Sequence, residues 1–259
     1  MAGYNPIVLS EAVKNHVCRT TQRGEERKYY RFRGGKWYGG IATGDVVGCN
    51  LRCGFCWSWR FSHVFTGGWF ESAESAFQKI LEIASKHNYE YVRLSGGEPT
   101  ISRSHLLKII ELFSETHYTF ILETNGLLIG YDPDYARDLA EFSNLVVRVS
   151  LKGASEEEFH ALTGADPSFF RMQLKSLENL LASGFKPCRE VYPAVMLSFS
   201  TPGSYNQLKR ELSMMSQSFL SCIDEEYVIL YPHVKEIMKR RGLKPKISYT
   251  PEGVPDFMI

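Results

Sequence analysis

No stretch of this 259-residue chain approaches the roughly 20 consecutive apolar residues that a helix needs to cross a bilayer. Runs such as Phe120-Ile-Leu122 and Leu145-Val-Val147 are broken by polar residues almost at once. Net charge is nearly absent as well. With 30 Lys and Arg against 29 Asp and Glu, bulk electrostatics gives no argument for nucleic acid or a membrane surface as partner. Met1 to Leu9 has neither the basic start nor the apolar core of a secretory leader, so a cytoplasmic protein with free thiols is expected. Internal repeats, low-complexity tracts and Gly/Ser linkers are missing, which leaves one domain as the simplest reading. Cysteine is scarce, at six residues. Cys18, Cys188 and Cys222 are too scattered for a metal cluster, and each is expected as a packed or partly exposed thiol.

The other three cysteines crowd together. Cys49, Cys53 and Cys56 form a C-x3-C-x2-C run inside Gly48-Cys-Asn-Leu-Arg-Cys-Gly-Phe-Cys-Trp57. Three thiolates on one short loop can hold three irons of a four-iron, four-sulfur (4Fe–4S) cluster, and a fourth iron without a cysteine is open to a substrate or cofactor. The competing reading is a zinc-binding module that catalyses nothing. A structural zinc site is closed by four ligands, and the nearest fourth candidate, His63, lies beyond the bulky Trp57-Ser-Trp-Arg-Phe61.

Hydrophobic periodicity places these cysteines on a strand-to-helix connection. Ile41 to Val47 reads as a strand; Phe77, Ile80, Leu81, Ile83 and Ala84 make the apolar stripe of a helix that Ser72 starts. Strands at Tyr89–Leu94, Tyr118–Leu122, Leu145–Leu151, Val191–Phe199 and Tyr227–Tyr231 alternate with helices. Those helices are read at Leu106–Phe113, Asp134–Glu141, Phe170–Leu181, Tyr205–Met215 and Val234–Arg240. Six strands at parallel-crossover spacing predict an α/β fold, a partial (β/α)6 TIM-like barrel. It would span 41–241, with a short N-terminal extension (1–40) packed on it and a C-terminal tail (242–259). In such folds the loops after the strands form the active face.

Each motif sits on such a loop. Ser95-Gly96-Gly97-Glu98-Pro99 follows the second strand, Glu123-Thr124-Asn125-Gly126 the third, Ser150-Leu151-Lys152-Gly153 the fourth and Tyr231-Pro-His233 the sixth. With the cysteine loop, Trp57 after its third cysteine, and Gly96-Gly97-Glu98-Pro99 in this order, the chain resembles the radical S-adenosylmethionine (radical SAM) enzymes. The resemblance covers about residues 41 to 235. Glu123-Thr-Asn-Gly126, Leu151-Lys152 and Tyr231-Pro-His233 are most similar to the small glycyl-radical-enzyme (pyruvate formate-lyase) activating enzymes. The chain departs from them at Trp57-Ser58, where they carry His-Asn, and at Ser150, where they carry Asp.

The resemblance implies that Cys49, Cys53 and Cys56 ligate the cluster and that S-adenosylmethionine occupies the open iron. An external electron donor would drive its cleavage to a 5'-deoxyadenosyl radical, which abstracts hydrogen from substrate. It further implies that Gly96 and Gly97 offer backbone acceptors to the methionine ammonium and that Thr124 and Asn125 hydrogen-bond the cofactor. Lys152 would suit the methionine carboxylate, and Trp57 would wall the cluster beside adenine. Glu98 anchors the second motif's loop; Ser150 and His233 complete the cofactor-facing set. The substrate would be a glycyl loop of a partner protein or, alternatively, a nucleotide, an RNA base or a peptide. Few residues follow the sixth strand, which argues for an open barrel mouth. One segment stands apart. Arg27-Lys-Tyr-Tyr-Arg-Phe-Arg33, with Lys36-Trp-Tyr38, interleaves bases and aromatics as an RNA-binding surface does. The favoured reading is an edge hairpin turned at Gly34-Gly35, with its Arg and Lys in water and Tyr30 and Phe32 packed inward.

Overall fold

The computed structural model describes residues 3–22 and 24–259; Met1, Ala2 and Arg23, which belong to the expected 1–40 extension, lie outside the described residues. Asn5 caps helix α1 (Pro6–Val17), its side-chain oxygen accepting from the N–H groups of Ile7 and Val8 at 2.8 and 3.1 Å, with Pro6 in the first turn. The chain then forms β1 (Cys18–Thr21), β2 (Gly24–Gly35) and β3 (Ile41–Val46). After the cysteine loop come α2 (Trp59–Ser62) and β4 (Trp69–Glu71). Strands and helices then alternate: α3 (Ala73–His87), β5 (Tyr91–Gly96), α4 (Arg103–Ser114), β6 (Thr119–Thr124), α5 (Leu127–Tyr131), α6 (Pro133–Leu139) and β7 (Leu145–Leu151). They continue as α7 (Glu156–Thr163), α8 (Phe169–Ala182), β8 (Val191–Met196), α9 (Pro202–Met215), β9 (Asp224–Glu226), β10 (Val228–Ile229), α10 (Pro232–Arg240) and β11 (Ser248–Tyr249).

Strands β3, β5, β6, β7, β8 and β9 pair in parallel in that order, and antiparallel β2 and β1 continue the sheet past β3. This is the expected α/β partial barrel, open because β1 and β9 end the pairing order without meeting. Its outer face is held by side chains alternating along each strand. Ala42 and Val46, Val92 and Leu94, Phe120 and Leu122, and Val147 and Val149 are buried there with the apolar stripes of the helices. Phe113 of α4, fully buried, meets Phe77 of α3 edge-on at 4.7 Å. Burying one such ring contributes on the order of 1.5–3 kcal/mol.

Three expectations are corrected. The sixth barrel strand is Asp224–Glu226; Val228–Ile229, within the range expected for it, pairs instead with Ser248–Tyr249 in a separate two-stranded sheet. An Asp-Glu-Glu strand has low β-propensity, and it forms because Arg148 neutralises it from the next strand but one. Cys188 and Cys222 are not thiols but a disulfide, their Cα atoms 5.5 Å apart. The bond joins the turn before β8 to the segment before β9, at the end of the barrel away from the cysteine loop. Finally, β2 forms the expected hairpin, with Tyr30 and Phe32 packed inward, but not at an edge: it pairs with β1, β3 and β4, and the chain reverses at Trp37–Gly39 rather than Gly34-Gly35. Arg27 is 1% exposed, and Arg31 and Arg33 both turn onto the buried Asp45.

Candidate active site

The cysteine loop is seated on backbone. Gly48 adopts φ +88°, and a Cβ there would lie 2.7 Å from Val13 of α1, so only glycine lets the loop leave β3 beneath that helix. Gly97 is equally constrained, since its Cβ would fall 2.2 Å from the Gly48 carbonyl oxygen, which accepts the Glu98 N–H at 2.9 Å. The two glycine motifs are therefore packed on each other. Asn50 is buried and locks the loop from inside: its amide donates to Ser10 Oγ at 2.9 Å, and its Oδ1 accepts from Asn125 Nδ2 at 2.7 Å.

Burial raises all three thiols, Cys53 up to about 12 even though Lys152 pulls it down. Desolvated thiols of this kind lose their protons only to a bound cation. Donors stand ready for the resulting thiolates: the Leu51 N–H lies 3.4 Å from Cys49 Sγ, with Asn125 Nδ2 3.9 Å from the same sulfur. Among the described residues, no three His, Cys, Asp or Glu converge on one point, as the ~2.3 Å bonds of a single zinc ion require. A cubane cluster makes no such demand, because each thiolate binds a different iron.

Glu98 is 3% exposed and spends its carboxylate on the protein. Oε1 accepts from Thr100 N–H (3.2 Å), Thr100 Oγ1 (2.7 Å) and Thr124 Oγ1 (2.7 Å), while Oε2 accepts from Asn125 N–H at 2.8 Å. It is a bracket between the loops after β5 and β6. Thr124 and Asn125 belong to the same bracket. Thr124 Oγ1 also accepts the Gly126 N–H, and Asn125 Oδ1 accepts the Leu127 N–H, so both side chains shape their own turn. Gly96, at φ +84°, gives its carbonyl to Ser62 Oγ at 3.0 Å.

On the concave face, residues alternating with the apolar ones form a belt of charges. Asp45 of β3 pairs with Arg31 and Arg33 of β2; Arg93 of β5 pairs with Glu123 of β6 at 2.6 Å; Arg148 of β7 pairs with Asp224 and Glu226 of β9 at 2.6 and 2.7 Å. Lys152 closes the sequence, 3.7 Å from Glu226 and bonded to Ser150 Oγ, which itself donates to Glu226 at 2.8 Å. Burial alone would raise Glu226; Lys152 and Arg148 overcome it and hold the carboxyl at about 2. Burial opposes Lys152 likewise, but Glu226 and then Cys53 keep the ammonium above its ordinary value. Tyr38 adds a further bond to the belt, donating to Glu123 at 2.7 Å.

The remaining expected residues border the mouth. Trp57 is 41% exposed, and the Arg31 and Arg33 guanidiniums lie 6.0 and 5.8 Å from its ring. His233, exposed on α10, bonds the Trp57 carbonyl through Nε2 at 2.7 Å, tying that helix to the cysteine loop. Sequence reasoning named Glu123 but missed Asn50, Ser62, Gln173 and the belt's other acids, Asp45, Asp224 and Glu226. Gln173 links the loops after β6 and β7, donating to Asn125 O at 2.6 Å and accepting from the Lys152 N–H at 3.1 Å. Only Asn50, inside the cysteine run, offered a signal.

The Radical SAM superfamily model matches residues 45–202, more than half of the chain. Mycofactocin maturase MftC of Mycobacterium ulcerans is 32% identical over 140 residues, covering 53% of this chain and 35% of that protein. GTP 3',8-cyclase of Photorhabdus laumondii is 28% identical over 170 residues, covering 61% and 44%. The chain thus spans less than half the length of these curated relatives. In fold it is similar to spore photoproduct lyase complexed with a dinucleoside spore photoproduct (TM-score 0.56, 16% identity, 78% of this chain and 60% of that one). It is also similar to Streptococcus suis SuiB bound to its precursor peptide SuiA (TM-score 0.54, 16% identity, 79% and 46%).

Proposed function

This chain belongs to the radical SAM superfamily, whose members use a 4Fe–4S cluster and S-adenosylmethionine, and on that footing we propose that it is an enzyme abstracting hydrogen from a charged substrate seated against the belt. Cys49, Cys53 and Cys56 are the proposed cluster ligands. When bound, the cluster and S-adenosylmethionine supply a 5'-deoxyadenosyl radical, with the electron coming from an external donor. The chain's own part is to bind, orient and exclude water. Glu98, Thr124 and Asn125 fix the loops around the open iron, and Gly96 and Gly97 bring backbone close to it. Lys152 holds a positive charge beside the cysteines for the methionine carboxylate, Ser150 and Glu226 steer its ammonium, and His233 holds Trp57 at the rim.

The observation that carries the substrate class is the belt. Ion pairs inside a barrel stabilise it less than apolar packing would, so a lining of Arg93, Glu123, Arg148 and Glu226 is suited to partners with charges of their own. A nucleotide, an RNA base or a charged peptide residue has them. The target residue of a glycyl loop, the substrate suggested by Glu123-Thr-Asn-Gly126, Leu151-Lys152 and Tyr231-Pro-His233, has no side chain to meet the belt, and that reading rests on the sequence resemblance alone. The division into extension (1–40), core (41–241) and tail (242–259) is proposed as functional, since β2 shares the core's sheet. No described helix is long and apolar enough to cross a membrane. The cytoplasm is the proposed compartment, and there the Cys188–Cys222 disulfide would be exposed to reduction.

Anaerobic reconstitution tests the proposal. About four irons per chain, reductive formation of 5'-deoxyadenosine, and loss of both in a Cys49→Ala, Cys53→Ala, Cys56→Ala variant are expected. Stoichiometric zinc without 5'-deoxyadenosine would overturn it.

A further inference from the structure

The belt is not evenly balanced. Arg31 and Arg33 both direct Nε to the same oxygen of Asp45, Oδ2, at 2.7 and 2.8 Å, and Arg33 Nη2 adds a longer contact to Oδ1 at 3.3 Å. Asp45 is completely buried, and among the described residues it is the only carboxylate paired with either guanidinium. Two cations on one anion leave a surplus positive charge, and a guanidinium fork carries five N–H donors. Both Nη groups of Arg31 and Nη1 of Arg33 are not needed by Asp45. The register shift in β2 between Tyr29 and Arg31 helps bring these side chains onto Asp45. Beside them stands Trp57, an exposed indole on the cysteine loop.

We propose that Arg31, Arg33 and Trp57 form a nucleoside-phosphate subsite at the rim of the barrel. Asp45 takes Nε of Arg31 and Nε with Nη2 of Arg33, which leaves the Nη fork of Arg31 and the single Nη1 of Arg33 for a phosphate that accepts from both guanidiniums. The indole offers a flat ring to the attached base, and stacking of that kind is tolerant of base identity. Arg31 keeps 45% of its side chain exposed and Arg33 21%, so the donors can be reached without unfolding β2. A mononucleotide is the committed ligand rather than RNA, because the arrangement sets one ring, Trp57, beside one pair of guanidiniums that share a single carboxylate. The inference deepens the proposed function by naming the substrate class. It is measured by binding alone, so it can fail while S-adenosylmethionine cleavage stands, or survive the failure of cleavage.

The test is equilibrium binding to the anaerobically reconstituted protein of GMP, GTP, guanosine, inorganic phosphate, a 20-nucleotide RNA and, separately, S-adenosylmethionine. The nucleotides should bind at least tenfold more tightly than guanosine or inorganic phosphate. Arg31→Ala, which leaves Arg33 to neutralise Asp45 and preserves the fold, should weaken nucleotide binding about tenfold. Arg31→Ala with Arg33→Ala should weaken it about a hundredfold, at roughly tenfold per charge-assisted contact. Trp57→Ala should cost about tenfold, and Arg31→Lys should recover only part of the loss, because an ammonium lacks the fork. S-adenosylmethionine affinity should stay within twofold in Arg31→Ala. Equal binding of guanosine and GMP overturns the proposal, as does wild-type nucleotide affinity in the double variant. A parallel loss of S-adenosylmethionine binding assigns the pair to the cofactor and also overturns it. RNA binding tighter than GMP, with a steep salt dependence, replaces the mononucleotide by a polyanion.

Discussion

Glu98→Ala is the sharpest test of how the rim is built. The carboxylate accepts from two backbone N–H groups, of Thr100 and Asn125, and from two hydroxyls, all in residues no more than 4% exposed. The hydroxyls can rotate to other acceptors, but the two N–H groups cannot, and each buried donor left unpaired costs about 1–3 kcal/mol. The expected loss is about 4 kcal/mol, or about 10 °C in Tm at the roughly 2–4 °C per kcal/mol of a domain this size. Glu98→Gln keeps an oxygen for the three Oε1 contacts and opposes its amide only to the Asn125 N–H. It should therefore lose about half as much. Urea unfolding followed by far-UV circular dichroism reads both values on the apoprotein. 5'-Deoxyadenosine formation should fall in the same order, through loops that shift. A loss below about 0.5 kcal/mol for the alanine variant refutes the bracket, and equal losses for both variants would show that charge, not acceptor geometry, matters.

Two further outcomes follow from the belt and the disulfide. Glu226 is held at about 2 against an ordinary value of 4.5, so its contribution to stability is fully present above about pH 4.5 and is lost as pH falls towards 2. Glu226→Gln should flatten stability across that window in urea titrations, and an unchanged slope would separate the residue from Lys152 and Arg148. Cys188 and Cys222 close a loop across 34 positions, for which chain-entropy arguments give about 4 kcal/mol. Cys188→Ser with Cys222→Ser should lose that much and raise hydrogen exchange at β9 first, because β9 pairs with only one neighbour, through three residues.

The parts legible in sequence were those written in local spacing. The cysteine triplet, Gly96-Gly97-Glu98-Pro99 and the apolar stripes of α3, α4 and α8 need only a window of a few residues to be seen. The belt could not be read that way. Arg93 stands between Val92 and Leu94, and Arg148 between Val147 and Val149, each a lone charge in an apolar strand until six strands curl and place the charges on one surface. β9 was misplaced because its residues are all acidic, and the charge that balances them, Arg148, comes from two strands away. The pairing of Cys188 with Cys222 depends on two turns brought together by β8 and β9, which no spacing rule encodes. Arg31 does stay exposed, but its pairing, and that of the half-buried Arg33, was missed because alternation in β2 was read without Asp45, the buried anion that both contact.

The disulfide also bears on electron counting. Reduction of Cys188–Cys222 takes two electrons and two protons, and the strong reductant needed for a 4Fe–4S cluster offers electrons to both sites. A cluster-loaded preparation titrated with reductant will therefore contain two chemically distinct proteins, one with a single thiol outside the cluster and the disulfide, Cys18, and one with three. Their proportions change during the same titration that reports on the cluster. Counting alkylatable thiols alongside iron keeps the two electron sinks apart.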